Sequence, residues 1–306
     1  MNRLILYVFQ GMMILGLFSC EFDDIEDKYD YSTVYFIYQD YNRNIIVGEG
    51  LKLKLGVTLT GLMNNREDRI VNYEVAPSLL NEITGKTLLP SDYYSLENPS
   101  QIVIPKGNTV GYMSVKIDSA KFLADPRALT GEFVLPIRIK DASGADTIIP
   151  AKSFTRITLS YYGKQFGNYH YSGEINKFMG PVLFNSYSYD NNPKDGGSFR
   201  FLETINPTNF RVVADSKNPN DPMWGNSFII HIPTNGTEVT ILPDPESSIK
   251  VSQVGDCTYD LKNRRIHLEY TWIDTEGANC HVVEELTFRN RIYDDQGNGI
   301  YINEWR

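Results

Sequence analysis

From residue 33 onward the apolar side chains come in short runs rich in Val, Ile, Thr, Tyr and Phe, each closed by Gly, Pro, Asn or Asp. Such runs suit a pleated, half-buried surface, and the residues between them are turn formers. The chain is therefore expected to be all-β. Within residues 29–162 seven runs recur: Thr33–Tyr38, Leu51–Leu59, Ile70–Val75, Gln101–Ile104, Val110–Ile117, Phe133–Lys140 and Phe154–Ser160. Pro105-Lys106-Gly107-Asn108 and Ala142-Ser143-Gly144 are among the turns, and short helical pieces are expected near Ser78–Ile83 and Ser119–Leu123. About seven strands at this spacing predict an immunoglobulin-like β-sandwich. It lacks the cysteine pair of a true immunoglobulin domain.

Residues 163–306 carry a second series: Gly167–Ile175, Phe199–Glu203, Phe210–Val213, Phe228–Ile232, Val239–Leu242, Ile249–Val254, Arg265–Ile273, Cys280–Arg289 and Gly299–Trp305. Eight or nine strands joined by short turns predict an up-and-down β-barrel. Its opening Gly167-Asn168-Tyr169 resembles the Gly-x-aromatic start of calycin barrels. In the hairpin 265–289, Ile266, Leu268, Tyr270 and Trp272 share one face by period-two alternation. A turn at Thr275–Asn279 would place Tyr270 opposite Glu284 and Trp272 opposite Val282, and would oppose Glu269 to Glu285. Glu284 then points into the barrel, where a carboxylate needs a partner: Tyr270, an arginine or a ligand. The same strand arithmetic holds Cys257 and Cys280 too far apart for a disulfide.

The N-terminus is of a different kind. Arg3 is followed by an apolar run, Leu4–Phe18, and then Ser19-Cys20. The run is short for a bilayer span and suits a signal-peptide core. Ser19-Cys20 resembles the lipobox of bacterial lipoproteins, which implies cleavage after residue 19 and acylation of Cys20. Residues 20–28 form an acidic tether, Glu21-Phe22-Asp23-Asp24-Ile25-Glu26-Asp27, which resembles the export tag of surface lipoproteins in gut Bacteroidetes. The resemblance implies an outer-membrane address on the cell surface.

Further residues carry a family resemblance. Leu89-Pro90-Ser91-Asp92-Tyr93-Tyr94, Ile102-Val103-Ile104-Pro105-Lys106-Gly107, Ala124-Asp125-Pro126-Arg127-Ala128-Leu129-Thr130-Gly131 and Val134-Leu135-Pro136-Ile137-Arg138-Ile139 look like an uncharacterised N-terminal domain of Bacteroidetes surface lipoproteins. The second half resembles the calycin-like partner that often follows it, including the closing Glu304-Trp305-Arg306. Relatives of this kind sit in polysaccharide-utilisation systems. The resemblance implies an accessory role, with an outer-membrane transport complex as a candidate partner, and brings no catalytic domain.

The residues themselves bring little chemistry either. The net charge of −9 argues against nucleic acid, which demands a basic footprint. There is no nucleophile elbow, no phosphate loop and no zinc spacing among His170, His231, His267 and His281. Asp294-Asp295-Gln296-Gly297-Asn298-Gly299 departs from a calcium loop at its third ligand and reads as a turn. No metal, cofactor or enzymatic activity is expected. Binding fits better. Asn185–Ser198 and Asp215–Asn226 read as long loops that mix aromatics with amides and carboxylates, the composition of sugar sites. The candidate ligand-binding residues are Trp224, Tyr187, Tyr189, Asp190 and Asn192 on the loops, with Tyr270 and Glu284 in the barrel. The candidate ligands are a glycan on the loops or a small apolar molecule, such as a lipid, inside the barrel.

Overall fold

The computed structural model describes residues 31–190, 199–214, 221 and 223–291. Cys20, the tether, Asn192 and the segments 294–299 and 299–305 lie outside the described residues. Eleven strands form the first half: β1 (Thr33–Tyr35), β2 (Asp40–Ile46), β3 (Lys52–Thr60), β4 (Arg69–Val75), β5 (Thr87–Leu88), β6 (Tyr94–Leu96), β7 (Gln101–Ile104), β8 (Val110–Ile117), β9 (Phe133–Ser143), β10 (Thr147–Ile148) and β11 (Phe154–Tyr162). They make two sheets, β10-β1-β3-β8-β6 and β2-β11-β9-β4-β7, with β5 beside β9. Alternation decides which side chains meet between them. Leu53, Leu55, Val57 and Leu59 of β3 and Met113, Val115 and Ile117 of β8 face Ile102, Leu135, Ile137, Ile157 and Leu159 in one core. Burying each such side chain is worth roughly 1.5–3 kcal/mol. The expected sandwich is present. The expectation missed β2, which pairs parallel to β11 (Asp40 against Arg156), and the helical piece at residue 78 is a 3-10 turn over Pro77–Leu80.

Two short helices, α1 (Ser119–Ala124) and α2 (Pro126–Leu129), pack against the sandwich and bury Phe122 and Ala128 in its core. Asp125 caps α2 through the Arg127 amide (3.0 Å) and takes a two-pronged bond from its guanidinium. The Arg127 side chain is the main reason the Asp125 carboxyl is held at about 2, against an ordinary 3.8. A carboxyl depressed in the folded state adds stability above its unfolded pKa, and that stability is lost as pH falls through the folded value. The melting temperature is thus expected to fall between about pH 4 and pH 2, and Asp125→Asn to flatten part of that fall. Melting curves across this range, for parent and variant, check it.

The second half continues through β12 (Gly167–Met179), β13 (Val182–Asp190), β14 (Phe199–Thr204), β15 (Asn209–Val213), β16 (Ser227–His231), β17 (Thr240–Pro243), β18 (Ser252–Gln253), β19 (Thr258–Asp260), β20 (Arg265–Ile273) and β21 (Asn279–Asn290). The order is that of a meander, β17-β16-β15-β14-β12-β21-β20, with β18 and β19 both beside β20. A bridge between Glu238 and Thr258 and the bond from Val239 N to Cys257 O (2.9 Å) nearly close the seam. The result is the expected up-and-down barrel. β13 and β14 both run against β12, β13 along residues 172–179 and β14 along residues 167–170. The residues expected to open a loop at Asn185 instead continue strand β13 as far as Asp190.

The hairpin β20–β21 has its register two residues from the expected one. Trp272 faces Cys280, Tyr270 faces Val282 and Leu268 faces Glu284. The cause is a tighter turn. The Asp274 carboxylate accepts from the amides of Glu276 (3.0 Å) and Ala278 (2.9 Å), and Gly277 takes φ +83°. A shift of two preserves the faces, so Glu284 still points inward. The expected opposition of Glu269 to Glu285 disappears: His267 Nδ1 lies 2.6 Å from Glu285, and His281 Nε2 lies 3.0 Å from Glu269.

Cys257 and Cys280 are unpaired and buried, as the strand spacing predicted. Burial, then the neighbouring Asp274, pushes the Cys280 thiol up to about 11. The thiolate is the reactive form. Maleimide labelling of a chain starting after Cys20 is therefore expected to be negligible in the native state, and to reach two per chain in denaturant without reductant.

Candidate functional site

The barrel has two unlike ends. At one, β12 enters from the sandwich: Phe166 stacks on Tyr162 with centroids 4.1 Å apart, and Arg291 reaches Glu49 at 2.8 Å. The other end, the distal rim, gathers the last residues of β12, β15 and β20 and the first of β13, β14, β16 and β21. One expected binding segment opens at this end, between Ala214 and Ser227, while the other leaves β13 at Asp190, opposite Ser172, and rejoins at Phe199, opposite His170, part-way along β12.

Just inside this rim lies a buried ionic cluster. Arg200, the second residue of β14, is 1% exposed. Its guanidinium bonds to the Asp221 carboxylate through Nη1 and to Glu284 Oε2 through Nη2 (3.3 Å), and it sits 4.3 Å from the Tyr171 ring centre. Tyr270 (2.9 Å) and Tyr189 (3.0 Å) donate their hydroxyls to Glu284, and Tyr171 donates to Asp221 (2.8 Å). Burial lowers the arginine's affinity for its proton, but Glu284 and Asp221 outweigh it and leave that pKa well raised. Burial, followed by Glu284, raises both Tyr189 and Tyr270, so their hydroxyls stay donors. Glu284 thus has both of the partners anticipated for it, Tyr270 and an arginine.

Gly173 makes the cluster possible. Register sets it between Tyr189 and Glu284. A Cβ there would lie 2.8 Å from the Tyr189 hydroxyl and 2.4 Å from the Val283 carbonyl oxygen. Without a side chain at 173, the Tyr189 ring crosses β12 and reaches the carboxylate on β21.

The cluster also holds the rim. The Met223 amide donates to Asp221 (2.8 Å), and the Trp224 amide donates to the Asp221 carbonyl (2.9 Å). Met223 plugs the barrel, while Trp224 turns outward and is 42% exposed. The Asn226 side chain donates to the Trp224 carbonyl (3.0 Å) and accepts from Ser248 (2.5 Å). Of the residues singled out from the sequence, Tyr189, Tyr270 and Glu284 meet inside the barrel. Tyr187 and Asp190 stand on β13, with Tyr187 exposed, and Trp224 stands on the rim turn. Asp221, a carboxylate of the expected loop 215–226, turns inward to join them, and Arg200 and Tyr171 complete the cluster without a sequence signal that marked them. In β14 the alternation Phe199-Arg200-Phe201-Leu202 offers two plausible inner faces, and the aromatic one proves to be outside, where Phe201 packs on Phe166.

The barrel interior is filled. Tyr169, Tyr171, Tyr259, Tyr270, Phe210 and Phe228 are all buried in one cluster, with Phe228 and Tyr270 centroids 4.9 Å apart. Among the described residues no group of three His, Cys, Asp or Glu side chains is placed to hold a metal. No described helix is long and apolar enough to cross a membrane.

Comparison with known proteins places the fold in context. Residues 29–146 match the model of a family described as an N-terminal domain. The match takes in the sandwich up to its last two strands. A crystal structure of a protein of unknown function from Bacteroides ovatus superposes with a TM-score of 0.66 at 20% identity, over 85% of this chain and 95% of that one. This likeness extends over both halves and shows a shared fold. An auxiliary nutrient binding protein from Bacteroides thetaiotaomicron aligns with a TM-score of 0.41 at 15% identity, over 81% of this chain and 90% of that one. No curated protein matches the chain.

Proposed function

We propose that the chain is a non-catalytic binding lipoprotein, anchored at the cell surface through Cys20, that captures a glycan at the distal rim of its barrel. One observation carries this reading: an exposed tryptophan sits on a turn fixed from beneath by a buried ionic cluster. Trp224 offers a flat apolar face, and Asn226 and Ser248 beside it offer an amide and a hydroxyl. A turn whose backbone is already held in place loses little freedom on binding, which favours affinity. The filled interior speaks against the apolar-carrier alternative, because a ligand there would have to displace packed aromatics. Asp221 and Glu284 are both inward carboxylates, but their side chains are fully buried against Arg200 rather than open to a cleft. That arrangement suits a structural cluster better than a glycosidase pair.

Affinity gels containing a panel of polysaccharides, run with the soluble chain from residue 21, test the reading. At least one glycan is expected to retard the protein. Trp224→Ala is expected to weaken that binding by about 1–3 kcal/mol, the scale for losing a stacked aromatic. A variant that binds as well as the parent would remove Trp224 from the site.

A further inference from the structure

The row of inward side chains at the distal mouth has more hydrogen-bond donors than acceptors. Register places Trp272, Cys280 and Lys177 side by side across β20, β21 and β12. Trp272 is 9% exposed, and its indole N–H is buried without an acceptor among the described residues. The Lys177 ammonium has three N–H groups and gives one of them to Asp274, at 2.9 Å. Asp274 is already occupied, since it also accepts from the backbone of Glu276 and Ala278. Tyr187 stands one row inward on β13, where it pairs with Ile175.

The mouth thus holds, just beneath its surface, a buried indole N–H without an acceptor among the described residues, beside a lysine whose ammonium is only partly used by its ion pair with Asp274. Two strand spacings, about 10 Å, separate the Cα atoms of Trp272 and Lys177. Two long side chains can close on a shared group across that distance. A neutral hydroxyl needs an acceptor as well as a donor. A carboxylate needs donors only, takes two at once and gains from the positive charge.

We propose that the Trp272–Lys177 row is a subsite for the carboxylate of an acidic sugar, so that the glycan held at Trp224 contains uronic acid. This rests on the reading of the distal rim as a glycan site and adds the chemical class of the ligand. The net charge of −9 repels a polyanion at long range. The preference is therefore to be sought at physiological salt, where separations beyond about 8 Å are screened.

The test uses the chain from residue 21 with polygalacturonate and alginate, each beside its carboxyl-reduced form, together with neutral polysaccharides. The native protein is expected to bind one of the acidic polymers at least tenfold more tightly than its reduced form, about the size of one charge-assisted hydrogen bond. Trp272→Phe keeps an aromatic side chain and removes the N–H, and Lys177→Met removes the charge. Both are expected to abolish the preference while leaving the weaker binding of the reduced polymer. Equal affinity for acidic and reduced forms overturns the subsite and leaves the Trp224 site standing, and that comparison needs no variant. Retention of the preference by both folded variants also overturns it. Failure of the native protein to bind any glycan overturns the subsite and the rim site together.

Discussion

Replacing Arg200 with methionine is expected to destabilise the barrel by about 3–5 kcal/mol, because it leaves two carboxylates buried without their cation. For a chain of this size that corresponds to a melting temperature lower by roughly 10 °C. The cost lies in the uncompensated charge more than in the lost contacts. Adding Asp221→Asn and Glu284→Gln to Arg200→Met should therefore restore part of the loss, although two more polar contacts are altered. Arg200→Lys is expected to fall between, since an ammonium cannot bond both carboxylates in the geometry of the guanidinium fork. Thermal and urea unfolding of the three variants measure this directly. A single Arg200→Met substitution within about 0.5 kcal/mol of the parent, the scale of an ordinary surface change, would show that the cluster is not a buried ion pair.

The second large effect is expected at Gly173. An alanine there brings a methyl group to 2.4 Å from a backbone oxygen on β21, and backbone cannot swing aside as a side-chain tip can. Overpacking of this kind costs about 1–3 kcal/mol, and valine should cost more than alanine. The same methyl displaces the Tyr189 hydroxyl from Glu284. Tyr189→Phe should therefore be clearly destabilising in the parent and nearly silent once residue 173 is alanine. A double-mutant cycle reads that coupling. Additive effects of the two substitutions would mean that Gly173 does not gate the Tyr189–Glu284 bond.

Local pattern carried the strands but not their partners. Strands such as Gln101–Ile104, Val110–Ile117 and Arg265–Ile273 are written in alternation and turn residues, and they form where expected. β2 was not legible, because Asp40-Tyr41-Asn42-Arg43-Asn44 looks like a loop. It becomes a strand by pairing with β11, more than a hundred residues later. β13 was hidden in the same way, its Tyr residues alternating with Asn and Ser on a strand that stays mostly exposed. For the cluster, parity alone placed Glu284 and Tyr270 inside, and a register displaced by two residues could not undo that. Arg200 was not legible, since in β14 the face of Phe199 and Phe201 competes with that of Arg200 and Leu202 for the inner side. What sends those rings outward is tertiary: Phe166 receives Phe201, and Arg289 lies 5.7 Å over the Phe199 ring. The rim position of Trp224 follows from the meander, which brings the segment after β15 to that end.

The central claim is that the barrel is filled and that binding takes place on its distal rim. Hydrogen–deuterium exchange of the soluble chain, with and without a polysaccharide that retards it in gels, tests this most directly. Protection is expected in the turn 221–226 and at the ends of the hairpins around residues 177–187 and 272–280. The sandwich strands and the residues near Phe166 should be unchanged. Protection confined to the sandwich, or to the barrel end beside it, would contradict the claim.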